Sequence, residues 1–285
     1  MPIIPFLISA FVVAYIVQLL AIFASPGRKL NPADMGKLPG LLLVLCMFTP
    51  TIVLAIFMFL GFIPFDWHSL GILPVRPTMW ALAFGITLLY QGVTFIILKQ
   101  FADFPDFSVK EDGKWRIEGL ATIFLNAHDG KPLHYSLDIL ATVIIITLFS
   151  IPKALGEELA WRGFLQGALV TEHGPIIGVV ILGIIWGLWH LPANLAGLND
   201  SKNPKLTALI FFIINTISMS AVFGWLVLFT GSVWTAAVAH AANNVLQALI
   251  AKLAPRICNI RYMCIMSLIY AIIGGIFFWL IHVTV

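Results

Sequence analysis

Glu157, Glu158 and Arg162 lie together inside an apolar stretch of a chain that otherwise keeps charge out of such stretches. Of the thirteen acidic residues, ten (Asp34, Asp66, Asp103, Asp106, Glu111, Asp112, Glu118, Asp129, Glu172 and Asp200) fall in connecting segments, and Asp138 lies at a segment edge. Only Glu157 and Glu158 are deep inside. A carboxylate at membrane depth costs about 2.5 to 3.5 kcal/mol even on the mildest insertion scale, so a neighbouring pair needs partners or a purpose. Spacing supplies one partner, because Glu158 and Arg162 are four apart on one helical face, in the favourable acid-before-base order. Glu157, about 100° away around the helix, is left over. Later apolar stretches carry His190, His240 and Asn244. A carboxylate outside the ion pair, two imidazoles and an amide are the equipment for activating a water molecule beside a developing oxyanion.

Those residues need a membrane bundle to hold them. Hydrophobic residues make up 60% of the chain and charged ones 10%, which excludes an ordinary soluble domain, where charge runs near about 25%. Stretches long enough to span, given a need for about 20 residues, run near 5–24, 40–63, 79–98, 137–172, 175–190, 205–229, 232–250 and 263–283. The expected fold is all-α, a polytopic transmembrane helical bundle of about eight spans. The first stretch has no basic residue before it, while Arg28, Lys29 and Lys37 follow, so it reads as a retained span rather than a cleaved leader. Cys46, Cys258 and Cys264 show no metal or redox spacing and read as structural fillers.

With eight spans, thirteen basic residues fall in loops on one side and Arg76 alone on the other; Lys153 and Arg162 belong to the glutamate segment. The positive-inside rule makes the crowded side cytoplasmic and places both termini outside. The net charge of +3 is spread by topology and not gathered in a run, so no nucleic-acid partner is expected. The 36 residues of 137–172 are too many for one straight span, and Pro152 marks either a kink or a break. A break would even out the basic residues on the two sides, so one long, kinked or tilted helix is expected. The connection 99–136 mixes Phe101, Phe104, Phe107 and Trp115 with Lys110, Glu111, Asp112, Lys114 and Arg116. An interfacial segment at the headgroups is the plainer reading, a lid or substrate-docking element the other.

Helix geometry brings distant residues to similar depths. Glu157 lies 16 residues before His173 and His190 lies 17 after it, so a hairpin at Glu172-His173-Gly174-Pro175 puts both about 24 Å from the turn, close to the cytoplasmic side. His240 and Asn244 share a face of the stretch 232–250. Measured from the turn near Gly231 they lie about 13 and 20 Å deep, so only Asn244 matches Glu157 unless a tilt or a buried turn intervenes. Taken singly, an intramembrane histidine is as well explained as a helix–helix hydrogen-bonding group.

These residues resemble the CPBP intramembrane protease family, which includes the CAAX-processing endopeptidase Rce1 and the Abi or bacteriocin-processing proteins. Its EExxxR motif is matched by Glu157-Glu158-Leu159-Ala160-Trp161-Arg162, followed by Gly163-Phe164. Its FxxxH motif is matched by Trp186-Gly187-Leu188-Trp189-His190, and its HxxxN motif by His240-Ala241-Ala242-Asn243-Asn244. Trp186 replaces the motif phenylalanine, which is expected to keep an aromatic wall and alter pocket shape more than chemistry. The resemblance covers roughly 137–250 as a catalytic core, between an N-terminal region spanning 1–136 (three spans plus a cytoplasmic loop) and a C-terminal span in 251–285. It implies a metal-independent glutamate endopeptidase of an integral membrane protein, in a cell membrane or an ER-type membrane. In that scheme Glu157 is the general base, His190 holds and polarises the water, His240 with Asn244 stabilises the oxyanion, and Glu158 with Arg162 supports them. The implied partners are the lipid bilayer and a membrane-anchored protein or peptide, in the eukaryotic branch a prenylated CAAX tail.

Other readings stay open at this level. Two histidines and a glutamate could make a zinc set with an open fourth position, although HExxH is absent and each carboxylate already has a role. A proton-coupled transporter would use Glu157 and the histidines as a relay, but no counterpart of the glutamate motif precedes residue 100. A scaffold or immunity protein on the same fold would carry the same motifs without using them.

Overall fold

In hydrocarbon every backbone N–H and C=O must be satisfied within the segment, and each of the eight apolar stretches is helical. The computed structural model describes residues 2–30, 37–73, 75–100, 132–198, 205–253 and 260–285, with backbone alone at 132–138, 205, 251–253 and 260–262. The connection 99–136, apart from its two ends, and Cys258 lie outside the described residues. The helices are α1 (Ile3–Ala24), α2 (Leu38–Phe59), α3 (Pro77–Lys99), α4 (Pro132–Glu158), α5 (Gln166–His173), α6 (Pro175–Trp189), α7 (Leu191–Leu195), α8 (Lys205–Thr230), α9 (Val233–Leu253) and α10 (Ile260–Thr284). Among the described residues six runs are long and apolar enough to cross a membrane, the fourth being Ile139–His173. The remaining two expected spans are α6, only 15 residues long, and α9, whose apolar run is diluted by His240, Asn243, Asn244 and Gln247. The outward faces of α1, α2 and α10 are apolar, with Ile8, Ile16, Leu41, Ile272 and Ile276 exposed. Water would penalise such faces and acyl chains do not, so this is an integral membrane protein.

The 137–172 stretch is one helical run, as the charge distribution required. Pro152 lies inside α4 without breaking it, and the change of helix type comes later, at Leu159–Leu165, a π-helical stretch joining α4 to α5. There the wider turn carries Trp161, Arg162, Gly163, Phe164 and Leu165, all buried. At the other end of α5, Gly174 (φ 79°) supplies the left-handed residue that folds α6 back along it.

The core gathers around α9, on which every side chain from Thr235 to Asn243 is buried. It packs against α3, α4 and α8, while α8 also packs against α6 and α10. The α8–α9 turn is itself covered: Ser232 and Val233 are buried, Val233 N–H donates to the Gly71 carbonyl (2.9 Å), and Trp234 Nε1 donates to the Ile72 carbonyl (2.9 Å).

Close approach of α6 to α8 depends on Gly183, where an added Cβ would sit 2.5 Å from Ile217 Cα. Because the obstacle is backbone, Gly183→Ala is expected to push the helices apart and destabilise the protein by about 1–3 kcal/mol. Gly275, which has nothing within 4 Å, is the control. Thermal unfolding in detergent should separate Gly183→Ala from Gly275→Ala; equal midpoints would show that the α6–α8 contact does not limit stability.

Candidate active site

The glutamate pair occupies the last turn of α4, just before the π-helical stretch, and both side chains are buried. Glu158 Oε1 receives two donors, Arg162 Nη1 at 3.0 Å and His240 Nδ1 at 2.7 Å. The Arg162 partner is the one the spacing predicts. His240 is a third member that spacing did not reveal, and it ties α9 to the end of α4. Arg162 Nη2 also donates to Ser220 Oγ on α8 (2.9 Å), and its guanidinium lies over the rings of Trp186 (4.5 Å) and Phe223 (5.3 Å). A guanidinium in this setting is held by one carboxylate, one hydroxyl and two aromatic faces.

Glu157 is not left over in the way the sequence suggested. Trp186 Nε1 donates to Glu157 Oε2 at 2.7 Å. Against the expectation that tryptophan at position 186 alters pocket shape more than chemistry, this bond is a chemical difference, because phenylalanine has no N–H to give. No other hydrogen bond reaches the Glu157 side chain from the described residues, so Oε1 has none from them.

His190 stands at the break between α6 and α7, where the chain leaves regular helix. Its Nδ1 lies 2.8 Å from the Trp186 carbonyl oxygen; a carbonyl can only accept, so Nδ1 carries the hydrogen and the neutral ring keeps its lone pair on Nε2. The ring is half-buried, edge-on to Trp189 (4.6 Å), Phe212 (5.1 Å) and Trp186 (5.8 Å). Two residues of α1 satisfy the broken backbone. Tyr15 hydroxyl donates to the Leu188 carbonyl (2.8 Å), while Gln18 donates through Nε2 to the Trp189 carbonyl (2.8 Å) and accepts at Oε1 from Ala193 N–H (3.0 Å). Cys46 packs beside Gln18, buried, as a filler is expected to; Cys264 is exposed.

His240 is stacked on Phe223 (5.6 Å) and edge-on to Trp186 (5.4 Å). The structure therefore brings Glu157, Arg162, His190 and His240 onto one indole, with Glu158 bonded to two of them. Asn244 is placed differently. One turn beyond His240 on the same face, it is exposed, as is Ala248 a further turn along, so this face of α9 passes from buried to accessible. The adjacent Asn243 is buried and takes part in a separate network: its Oδ1 accepts from Tyr90 hydroxyl (2.8 Å) and Gln91 Nε2 (2.7 Å), and Tyr270 hydroxyl accepts from Gln91 (3.0 Å) and Gln247 (2.8 Å). That network ties α3, α9 and α10 together. Gln18 and Gln91, polar residues in the middle of apolar stretches, were the available signals for these partners.

The class so defined is a helical integral membrane protein with a buried carboxylate–imidazole site. Comparison with known proteins narrows it. Residues 139–246 match the type II CAAX prenyl endopeptidase Rce1-like family. A curated relative, CAAX prenyl protease 2 of Methanococcus maripaludis, is 27% identical over 123 residues, covering 41% of this chain and 43% of the relative. The match thus spans less than half of that relative. The segment that carries all three motifs is similar to the Rce1-like family.

Proposed function

We propose that this chain is an intramembrane endopeptidase of the CPBP type, hydrolysing a peptide bond of a membrane-anchored protein or peptide with a water molecule activated by Glu157. The observation that carries the reading is the state of that carboxylate: one oxygen is held by the Trp186 N–H, the other takes no hydrogen bond from the described residues, and the rings of His190 and His240 flank the same indole.

In the proposed reaction, Glu157 takes a proton from water positioned by the lone pair on His190 Nε2. The oxygen bonds to the scissile carbonyl carbon, and the C=O electrons move onto the carbonyl oxygen. His240 donates to that oxyanion from Nε2 in its imidazolium form, with its Nδ1–H on the Glu158 carboxylate, and Asn244 donates from its side-chain amide. Collapse restores the C=O and expels the amine, which leaves with the proton held on Glu157. Glu158 and Arg162 fix the orientation of the bases. The basic-residue asymmetry supports a site facing the cytoplasm with both termini outside. The relative's name supports a prenylated CAAX-type tail as the substrate to try first.

The reaction is proposed to need no metal; among the described residues no group of three or more His, Cys, Asp or Glu side chains is arranged to hold an ion. The test is purified protein in detergent with a quenched prenyl-peptide reporter, assayed with and without a strong chelator. Cleavage indifferent to the chelator is expected. Loss of cleavage restored by added zinc would replace this mechanism with a metalloprotease, and no cleavage of prenylated or unprenylated membrane peptides would favour a non-proteolytic role.

A further inference from the structure

At position 186 the family motif has phenylalanine, and this chain has tryptophan. Building on the reading of Glu157 as base, we infer that Trp186 is a positioning residue for water activation: its indole N–H fixes Glu157 while its carbonyl fixes His190, holding both toward a common water molecule.

The geometry is direct. Trp186 is 5% exposed, its Nε1 lies 2.7 Å from Glu157 Oε2, and its backbone carbonyl oxygen lies 2.8 Å from His190 Nδ1. An indole can donate and cannot accept, so the contact uses one carboxylate oxygen as acceptor and leaves the lone pairs of the other for a water proton. The terminal torsion of a glutamate is broad, and without a donor the carboxylate samples many orientations. A donor at charge-assisted distance selects one of them. The Arg162 guanidinium, 4.5 Å over the indole face, draws electron density from the ring and strengthens the N–H as a donor. The two attachments also differ in what they require. Any residue supplies the carbonyl that holds His190; only the tryptophan side chain supplies the N–H.

This difference sets the experiment. Trp186 is replaced by phenylalanine and, by site-specific incorporation, by 3-benzothienylalanine, which keeps the bicyclic shape with sulfur in place of N–H. The chain has nine tryptophans, so global labelling would not serve. Both replacements are expected to lower kcat about tenfold or more. KM is expected to stay within about twofold, because the bond serves the reacting water and not substrate binding. Wild-type kcat in the benzothienylalanine protein would overturn the inference, since shape alone would then suffice.

Glu157→Gln is run beside these variants. Cleavage that survives Glu157→Gln removes the base and the proposed function with it; cleavage that needs Glu157 but ignores the indole donor removes only the role of Trp186. The bond is also read without turnover. In resonance Raman difference spectra against Trp186→Phe, the Trp186 band should report a hydrogen-bonded N–H and move to the free position in Glu157→Ala. A band unmoved by Glu157→Ala would overturn the inference whatever the enzyme cleaves.

Discussion

Glu157→Gln is expected to lower kcat on the prenyl-peptide reporter by about 10²- to 10⁴-fold, the range a positioned general base contributes. Glutamine keeps the length of the side chain and an oxygen for the Trp186 N–H, so the packing around it changes little. What it lacks is a proton acceptor of carboxylate strength. Thermal unfolding in detergent should therefore stay near that of the wild type while turnover collapses. That combination separates chemistry from folding, which Glu157→Ala alone would not do. Activity within about tenfold of wild type would mean that the water is activated elsewhere.

The second large effect concerns Glu158. Its Oε1 holds Arg162 at 3.0 Å and His240 at 2.7 Å with no exposure of the Glu158 side chain. Removing it strands a guanidinium, and removing one partner of a buried pair costs about 3–5 kcal/mol. Glu158→Ala should thus lower the unfolding midpoint by roughly 10 °C and also release the His240 ring that the proposed oxyanion site uses. Replacing both charged partners with apolar residues, as in Glu158→Leu with Arg162→Met, should recover much of the stability, because no charge is then left alone. Activity should not return in the double variant, since His240 still lacks its acceptor. A Glu158→Ala protein as stable as the wild type would show that the triad contributes orientation only.

Along each helix the sequence was legible; across helices it was much less so. Apolar length gave the bundle, and basic-residue asymmetry gave the single run through 137–172. Motif spacing gave the faces of Glu158, Arg162 and His240. Depth counted from the turns failed for His240, which lies on Glu158 although its count from Gly231 came out too shallow. Just past the exposed Gly231 the turn is covered: Ser232 and Val233 are buried beneath the α2–α3 connection, so position counted along α9 from that turn does not measure distance from a free surface. Periodicity likewise assumed 3.6 residues per turn through Leu159–Leu165, where the backbone is π-helical and the phase of every later side chain changes. Trp186 was visible as an exception to a motif, yet whether its N–H meets a carboxylate depends on how α6 is rotated against α4. The sequence contains no measure of that rotation. Asn243 and Asn244 are adjacent letters with opposite surroundings, one among Tyr90 and Gln91 and one exposed, for the same reason.

Helix α6 stops after 15 residues, a rise of about 22 Å against a hydrocarbon layer of about 30 Å. Its end is where regular hydrogen bonding lapses, and Tyr15 and Gln18 make good the deficit from the side. A hydrolase surrounded by oil must import its second reactant, and every ångström of apolar slab slows the import. For the proposed hydrolase, a strut this short would let the aqueous phase dip toward the imidazole without boring a pore through the bilayer, so the supply of water and the insulation of the membrane would not compete.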